Sequence, residues 1–175
     1  GKEASYIFGF EESYGYLSGS YVRDKDAVNG AFLICEMFSY YATQGISLLD
    51  KLNELFDKYG YCLNTLHSFE FDGSAGFEKM QNIMKTFHEE VGEGKKIESF
   101  AGKKINTVLD YSKGIDGLPK SDVLKYLLDG NCSVVVRPSG TEPKLKTYIS
   151  VSAKSREDAE VVEKKISDEL SQFFA

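Results

Sequence analysis

Ser133-Val134-Val135-Val136-Arg137-Pro138-Ser139-Gly140-Thr141-Glu142-Pro143-Lys144-Leu145-Lys146-Thr147-Tyr148-Ile149-Ser150-Val151 reads as strand, loop, strand. Ser133–Val136 is a β-branched apolar run of the kind that forms a buried strand, and 145–151 alternates between two faces. Such a unit holds its loop at a sheet edge. Arg137 brings a rigid planar fork of donors that can hold two phosphate oxygens at once. Ser139 and Thr141 add hydroxyls, and Gly140 lets backbone N–H groups approach an anion with no Cβ in the way. Pro138 and Pro143 fix φ on either side, so less entropy is lost when an anion docks. Ser, Gly and Pro also make ordinary hairpin turns. The whole octapeptide Arg137–Lys144 tips the reading toward a phosphate pocket.

Upstream the pattern is helical and extended by turns. Tyr6-Ile7-Phe8 is strand-like, and Asp24 or Asp26 is placed to cap a helix with Val28, Ala31, Phe32, Cys35, Phe38 and Ala42 on its apolar side, ending near Gly45. Ser47, with Asp50 three residues on, starts a second helix that Gly60 stops. Tyr61 to Phe71 reads as extended. Ser74 is placed to cap a helix carrying Phe77, Met80, Ile83, Met84, Phe87 and Val91, a stripe that reads as core. Strands are expected over 97–100 and 104–111, with Ile105, Thr107 and Leu109 on one face, and a short helix over 121–128. Ser155 opens a terminal helix with Ala159, Val162, Ile166, Leu170 and Phe173 inward. Strands with packed helices and no βαβ alternation indicate an α+β fold. The pattern changes near Gly60, so two parts are expected: 1–60, a partial α/β segment, and 61–175, a mixed or antiparallel sheet packed by helices.

The chain has 175 residues, of which 42% are hydrophobic, enough to bury a real core. A net charge of −6 argues against a general nucleic-acid or acidic-membrane binder, and no stretch is long and apolar enough to span a bilayer. Cys35, Cys62 and Cys132, with only His67 and His88 beside them, have no zinc spacing. They are expected to be buried or partly buried free thiols in a reducing cytoplasm. The chain opens Gly1-Lys2-Glu3-Ala4-Ser5 without an initiator Met, which reads as an excised piece of a longer protein.

Two further segments carry chemistry. In Phe8-Gly9-Phe10-Glu11-Glu12-Ser13-Tyr14-Gly15-Tyr16, the adjacent carboxylates Glu11 and Glu12 point apart and make a poor proton-sharing pair. A carboxylate with the Ser13 hydroxyl, set between glycines, suits vicinal sugar hydroxyls, although a charged surface turn has the same composition. In Tyr21-Val22-Arg23-Asp24-Lys25-Asp26-Ala27-Val28, Arg23 and Lys25 stand just before a helix start, where cations are mildly unfavourable. They call for a partner anion, either a carboxylate elsewhere or a phosphate.

Taken in this order, the three segments resemble the sugar-binding loop, the stretch after it, and the last-domain phosphate loop of the α-D-phosphohexomutases, the phosphoglucomutase/phosphomannomutase family. The resemblance covers nearly the whole chain but only the C-terminal part of such an enzyme: the end of domain 3 and domain 4, the latter TATA-binding-protein-like. It implies a parent that interconverts sugar 1-phosphate and 6-phosphate through a phosphoserine and a bisphosphate intermediate. It assigns Glu11, Ser13 and Arg23 to the sugar, Lys25 to the reacting end, and Arg137, Ser139, Gly140 and Thr141 to the non-reacting phosphate. Tyr16 stands where some members carry a His, which leaves no proton-transfer role there. The resemblance also implies Mg²⁺, held by a domain absent from this chain, a sugar bisphosphate activator, and the missing N-terminal domains as partners. Neither the family's phosphoserine loop nor its DGD-type metal loop occurs here, so the chain alone is expected to be inactive. A stand-alone phosphosugar-binding or regulatory module, or a phosphopeptide or nucleotide binder using 137–144 alone, is the rival reading.

Overall fold

The computed structural model describes residues 3–11, 13–140 and 142–174, and the chain divides into two compact units, Gly1–Leu55 and Phe56–Ala175. In the first unit, strands β1 (Phe8–Phe10) and β2 (Tyr16–Ser18) form an antiparallel hairpin with Phe8 opposite Ser18 and Phe10 opposite Tyr16. Helix α1 (Ala27–Ala42) follows. Of its two candidate caps, Asp26 does the work: its carboxylate accepts from the Asn29 N–H at 2.9 Å, satisfying one of the donors that a helix start leaves open. Asn29 in turn accepts from the Ser18 amide and hydroxyl, which ties α1 to β2. Gly30 is the buried residue of α1 and lies against Tyr16, whose Cβ would stand 3.0 Å from a Cβ added there. The apolar side of α1 is open: Val28, Phe32 and Phe38 are all exposed.

Helix α2 (Leu48–Tyr59) begins with the expected reciprocal cap, in which the Asp50 N–H donates to Ser47 Oγ at 3.0 Å and the Ser47 N–H to Asp50 Oδ2 at 3.3 Å. Gly60 follows at φ +88°, a left-handed value that glycine adopts without strain.

The second unit is one antiparallel sheet, spatially ordered β3-β8-β7-β6-β5-β4, from β3 (Tyr61–Glu70), β4 (Ser99–Phe100), β5 (Lys103–Asp110), β6 (Leu124–Leu128), β7 (Cys132–Pro138) and β8 (Lys144–Ala153). Helices α3 (Gly73–Glu90) and α4 (Arg156–Phe174) pack on one face. Period-two alternation sends Val134 and Val136 of β7 and Leu145, Thr147, Ile149 and Val151 of β8 toward them. There they join Met80, Ile83, Met84 and Phe87 of α3 and Ala159, Ile166 and Leu170 of α4 in one core. Each large side chain fully buried there contributes about 1.5–3 kcal/mol. The α+β class and the helix-packed C-terminal sheet follow the sequence reading.

Four local expectations are corrected. Residues 121–128 do not form a helix: Leu124, Tyr126 and Leu128 alternate inward as β6, paired on both sides by β5 and β7. Ser74 is not the cap of α3, since Asp72 occupies that position, without a side-chain cap bond. Ile105 does not share a face with Thr107 and Leu109, because a register shift between 105 and 107 inserts one residue and flips the alternation. Cys132 is buried, but Cys35 and Cys62 are exposed free thiols.

Candidate substrate-binding surfaces

The hairpin in the first unit aims its connecting loop by backbone bonds: the Glu11 N–H donates to Gly15 O at 2.8 Å and the Tyr14 N–H to Glu11 O at 3.2 Å. Tyr14 sits at φ 66°, an uncommon place for a large residue and a local store of strain. Beside this loop lies a cleft of about 290 Å³ lined by Gly9, Glu11, Gly15, Arg23, Asp24 and Lys25, among others. Three of the four candidate residues of this unit, Glu11, Arg23 and Lys25, therefore meet on one concave surface. Ser13 is exposed and does not line it. Tyr16 also lines it.

The electrostatics answer the question raised by two cations before a helix. Lys25 Nζ lies 3.1 Å from Asp24 Oδ1 and 3.8 Å from Glu11 Oε1. The Lys25 ammonium is held above its ordinary value, first by the hydrogen bond to Asp24 and then by that carboxylate's charge and that of Glu11. It is a cation and a donor at neutral pH, not a base. Asp24 is lowered, first by accepting the Lys25 backbone N–H. Tyr21 donates to Asp26 at 2.5 Å, which lowers the cap carboxylate and raises the phenol. Arg23 is exposed and has no ion-pair partner among the described residues. Gly15 permits the cleft: a Cβ there would stand 2.6 Å from Lys25 Cγ and 2.8 Å from Glu11 Oε2.

In the second unit the loop after β7 closes through two backbone bonds, Ser139 N–H to Lys144 O and Lys144 N–H to Glu142 O, both 2.7 Å. Arg137 is the exposed, outward-facing member of β7 next to buried Val136. Ser139 is half-buried and Gly140 is exposed at the loop tip; Thr141 lies outside the described residues. A Cβ on Gly140 would meet nothing within 4 Å, and its φ is not left-handed, so the turn itself does not require glycine. Two cations that sequence reasoning passed over stand here as well. Lys146 is directly opposite Arg137 in the β7–β8 ladder, and Lys144 is opposite Glu70 in the β8–β3 ladder. Strand parity around the loop was the available signal for Lys146. Two like charges facing each other are unfavourable unless an anion joins them.

No group of three or more metal-ligating side chains stands together among the described residues, and no helix is long and apolar enough to cross a membrane.

Comparison with known proteins matches the profile of the phosphoglucomutase/phosphomannomutase C-terminal domain to residues 88–168, and that of the family's alpha/beta/alpha domain III to residues 2–59. A phosphoglucomutase of Staphylococcus epidermidis is 38% identical over 176 residues, covering 96% of this chain and 31% of the relative. One from Staphylococcus aureus is 36% identical over 159 residues, covering 87% and 28%. The chain thus spans about a third of the length of the curated relatives it matches. Among solved structures, the open form of parafusin, a Paramecium phosphoglucomutase, aligns with a TM-score of 0.64 at 18% identity, covering 94% of this chain and 30% of that one. This is a likeness of fold.

Proposed function

We infer function from membership: this chain belongs to the phosphoglucomutase/phosphomannomutase family, the α-D-phosphohexomutases. On our reading its parent interconverts sugar 1-phosphate and sugar 6-phosphate in the cytoplasm, and this chain supplies the recognition half. Residues 1–60 end the sugar-binding domain, and 61–175 form the phosphate-binding domain. Arg137, Ser139, Gly140 and Thr141 take the non-reacting phosphate, with Arg137 as the fork that fixes its orientation. Glu11 and Ser13 accept from and donate to sugar hydroxyls, and Arg23 lies in reach of the same ring. Lys25, kept protonated by its carboxylate neighbours, donates to the oxygen on which charge develops. The phosphoserine donor and the Mg²⁺ of the family belong to domains that precede this one in the parent. Among the described residues of this chain no donor set fits a metal.

The observation that supports this reading is the cleft that gathers Glu11, Arg23 and Lys25 from separate stretches of sequence. A coupled assay with glucose 1-phosphate, Mg²⁺ and the bisphosphate activator tests it. The 175-residue chain is expected to give no turnover, while the parent turns over and loses most of its kcat on Lys25→Met. Turnover by the chain alone after removal of contaminating mutase, or a Lys25→Met parent with unchanged kcat, overturns the assignment.

A further inference from the structure

Lys144 ends the octapeptide and is the cation nearest the loop's closing bonds, so by composition it belongs with Arg137 as an anion ligand. Its surroundings say otherwise. The ammonium is 3.0 Å from Glu70 Oε1 and 3.3 Å from Glu142 Oε2. Only about a quarter of its side chain is exposed, against 70% and 56% for the two glutamates. Its pKa is raised, first by the Glu70 hydrogen bond and then by that to Glu142. Both carboxylates already engage the ammonium, so it has little left to offer a phosphate at that nitrogen.

The geometry around Lys144 is that of a fastening. Glu70 is the last residue of β3, and Lys144 the first of β8, opposite it in register. The next residue, Phe71, is buried in the core and donates its N–H to Pro143 O at 2.9 Å. Glu142 lies inside the loop, and its carbonyl accepts the Lys144 N–H. The side chain of Lys144 therefore joins the loop (through Glu142) to the end of a neighbouring strand (through Glu70). The backbone bond beside it repeats the same attachment.

We propose that Lys144 is a positioning residue, not a phosphate ligand: clamped between Glu70 and Glu142, it holds the 137–144 loop on the end of β3 in the shape that receives the anion. This rests on the reading of that loop as the phosphate site. It makes Glu70, which no loop motif includes, part of the recognition apparatus.

The experiment titrates the 15N-labelled chain with inorganic phosphate and follows the amide shifts of Ser139 and Gly140, with thermal unfolding as the control. Glu70→Gln and Lys144→Met are each expected to weaken binding about two- to fivefold, the range of a partly exposed ion-pair network. The double variant should be no worse than the poorer single, because both break one fastening. Lys144→Arg should restore most of the affinity. All variants should melt within a few degrees of the unmodified chain. The clamp and ligand roles differ in sign at Glu70. If Lys144 bound the anion itself, Glu70→Gln would leave affinity unchanged or tighten it, while Lys144→Met still lost it. That result overturns the proposal and leaves the phosphate site standing, as does a neutral Lys144→Met. A folded Arg137→Ala chain that binds phosphate as well as the unmodified one removes the site itself.

Discussion

Arg137 and Gly140 carry the phosphate assignment in different ways. As the fork of the proposed phosphate site, Arg137 would make a charge-assisted contact worth about 1.5–3 kcal/mol, so Arg137→Ala in the parent should lower kcat/KM roughly ten- to a hundredfold. Arg137→Lys keeps the charge but loses the planar fork, and should fall between. Circular dichroism confirms folding, and a folded Arg137→Ala enzyme with full kcat/KM makes the loop purely structural. Gly140 separates turn chemistry from recognition. An added methyl has open space around it and no left-handed φ to strain. Gly140→Ala should therefore leave the melting temperature within a degree or two while weakening phosphate binding in the same titration. Equal affinity would mean that nothing approaches the backbone at that point. In the first unit Gly15 is glycine for the opposite reason, because Lys25 and Glu11 already fill the place of its Cβ.

At the scale of elements, Tyr126 of β6 joins the sheet to α3, since its hydroxyl donates to Phe87 O at 3.0 Å from a fully buried position. Burial, and then the charge of Asp110, push its pKa well above the ordinary phenol value. A folded pKa above the unfolded one gives stability that is complete below about pH 10 and lost as pH rises from there toward the folded value. Tyr126→Phe should cost about 0.5–1.5 kcal/mol at neutral pH for the lost bond. It should also flatten the alkaline decline, and denaturant midpoints at pH 7, 9 and 11 measure both. A decline of equal steepness in the variant would place the alkaline sensitivity elsewhere. β6 is also where the sequence misled. Val123, Leu124, Leu127 and Leu128 repeat at helical spacing, while the alternation of Leu124, Tyr126 and Leu128 fits a strand equally well. Five residues cannot decide between the periods, and pairing with β5 and β7 does. The long helices α3 and α4, and the strands either side of the loop, were legible because their periods run far enough to exclude the alternative. The candidate site residues were read as motifs. The clamp at Glu70 was not, because strand pairing, unlike motif spacing, leaves no local trace.

For the molecule as a whole, the contrast between the two units is one of burial. The second has a continuous core around Phe87, Tyr126, Ile149 and Ile166, whereas the first buries Gly30 of α1 and leaves Val28, Phe32, Ile34 and Phe38 exposed. An apolar hollow of about 480 Å³ beside Phe10, Tyr16, Leu33 and Met37 belongs to the same surface. Amide exchange should therefore be faster across 6–58 than across 61–175. Equal protection in a verified monomer contradicts this, and a dimer covering those apolar faces shows itself by sedimentation.

The sheet order has a further consequence, in time rather than space. β3 is the first strand of its unit to be made, and its partner β8 is the last. Asn64 and Ser150, joined by a hydrogen bond, are 86 residues apart in the chain, and His67 and Glu163 are 96 apart. A ribosome must release nearly the entire unit before β3 can be paired. Until then Leu63, Leu66 and Phe69 wait as an open edge of the kind that chaperones shield.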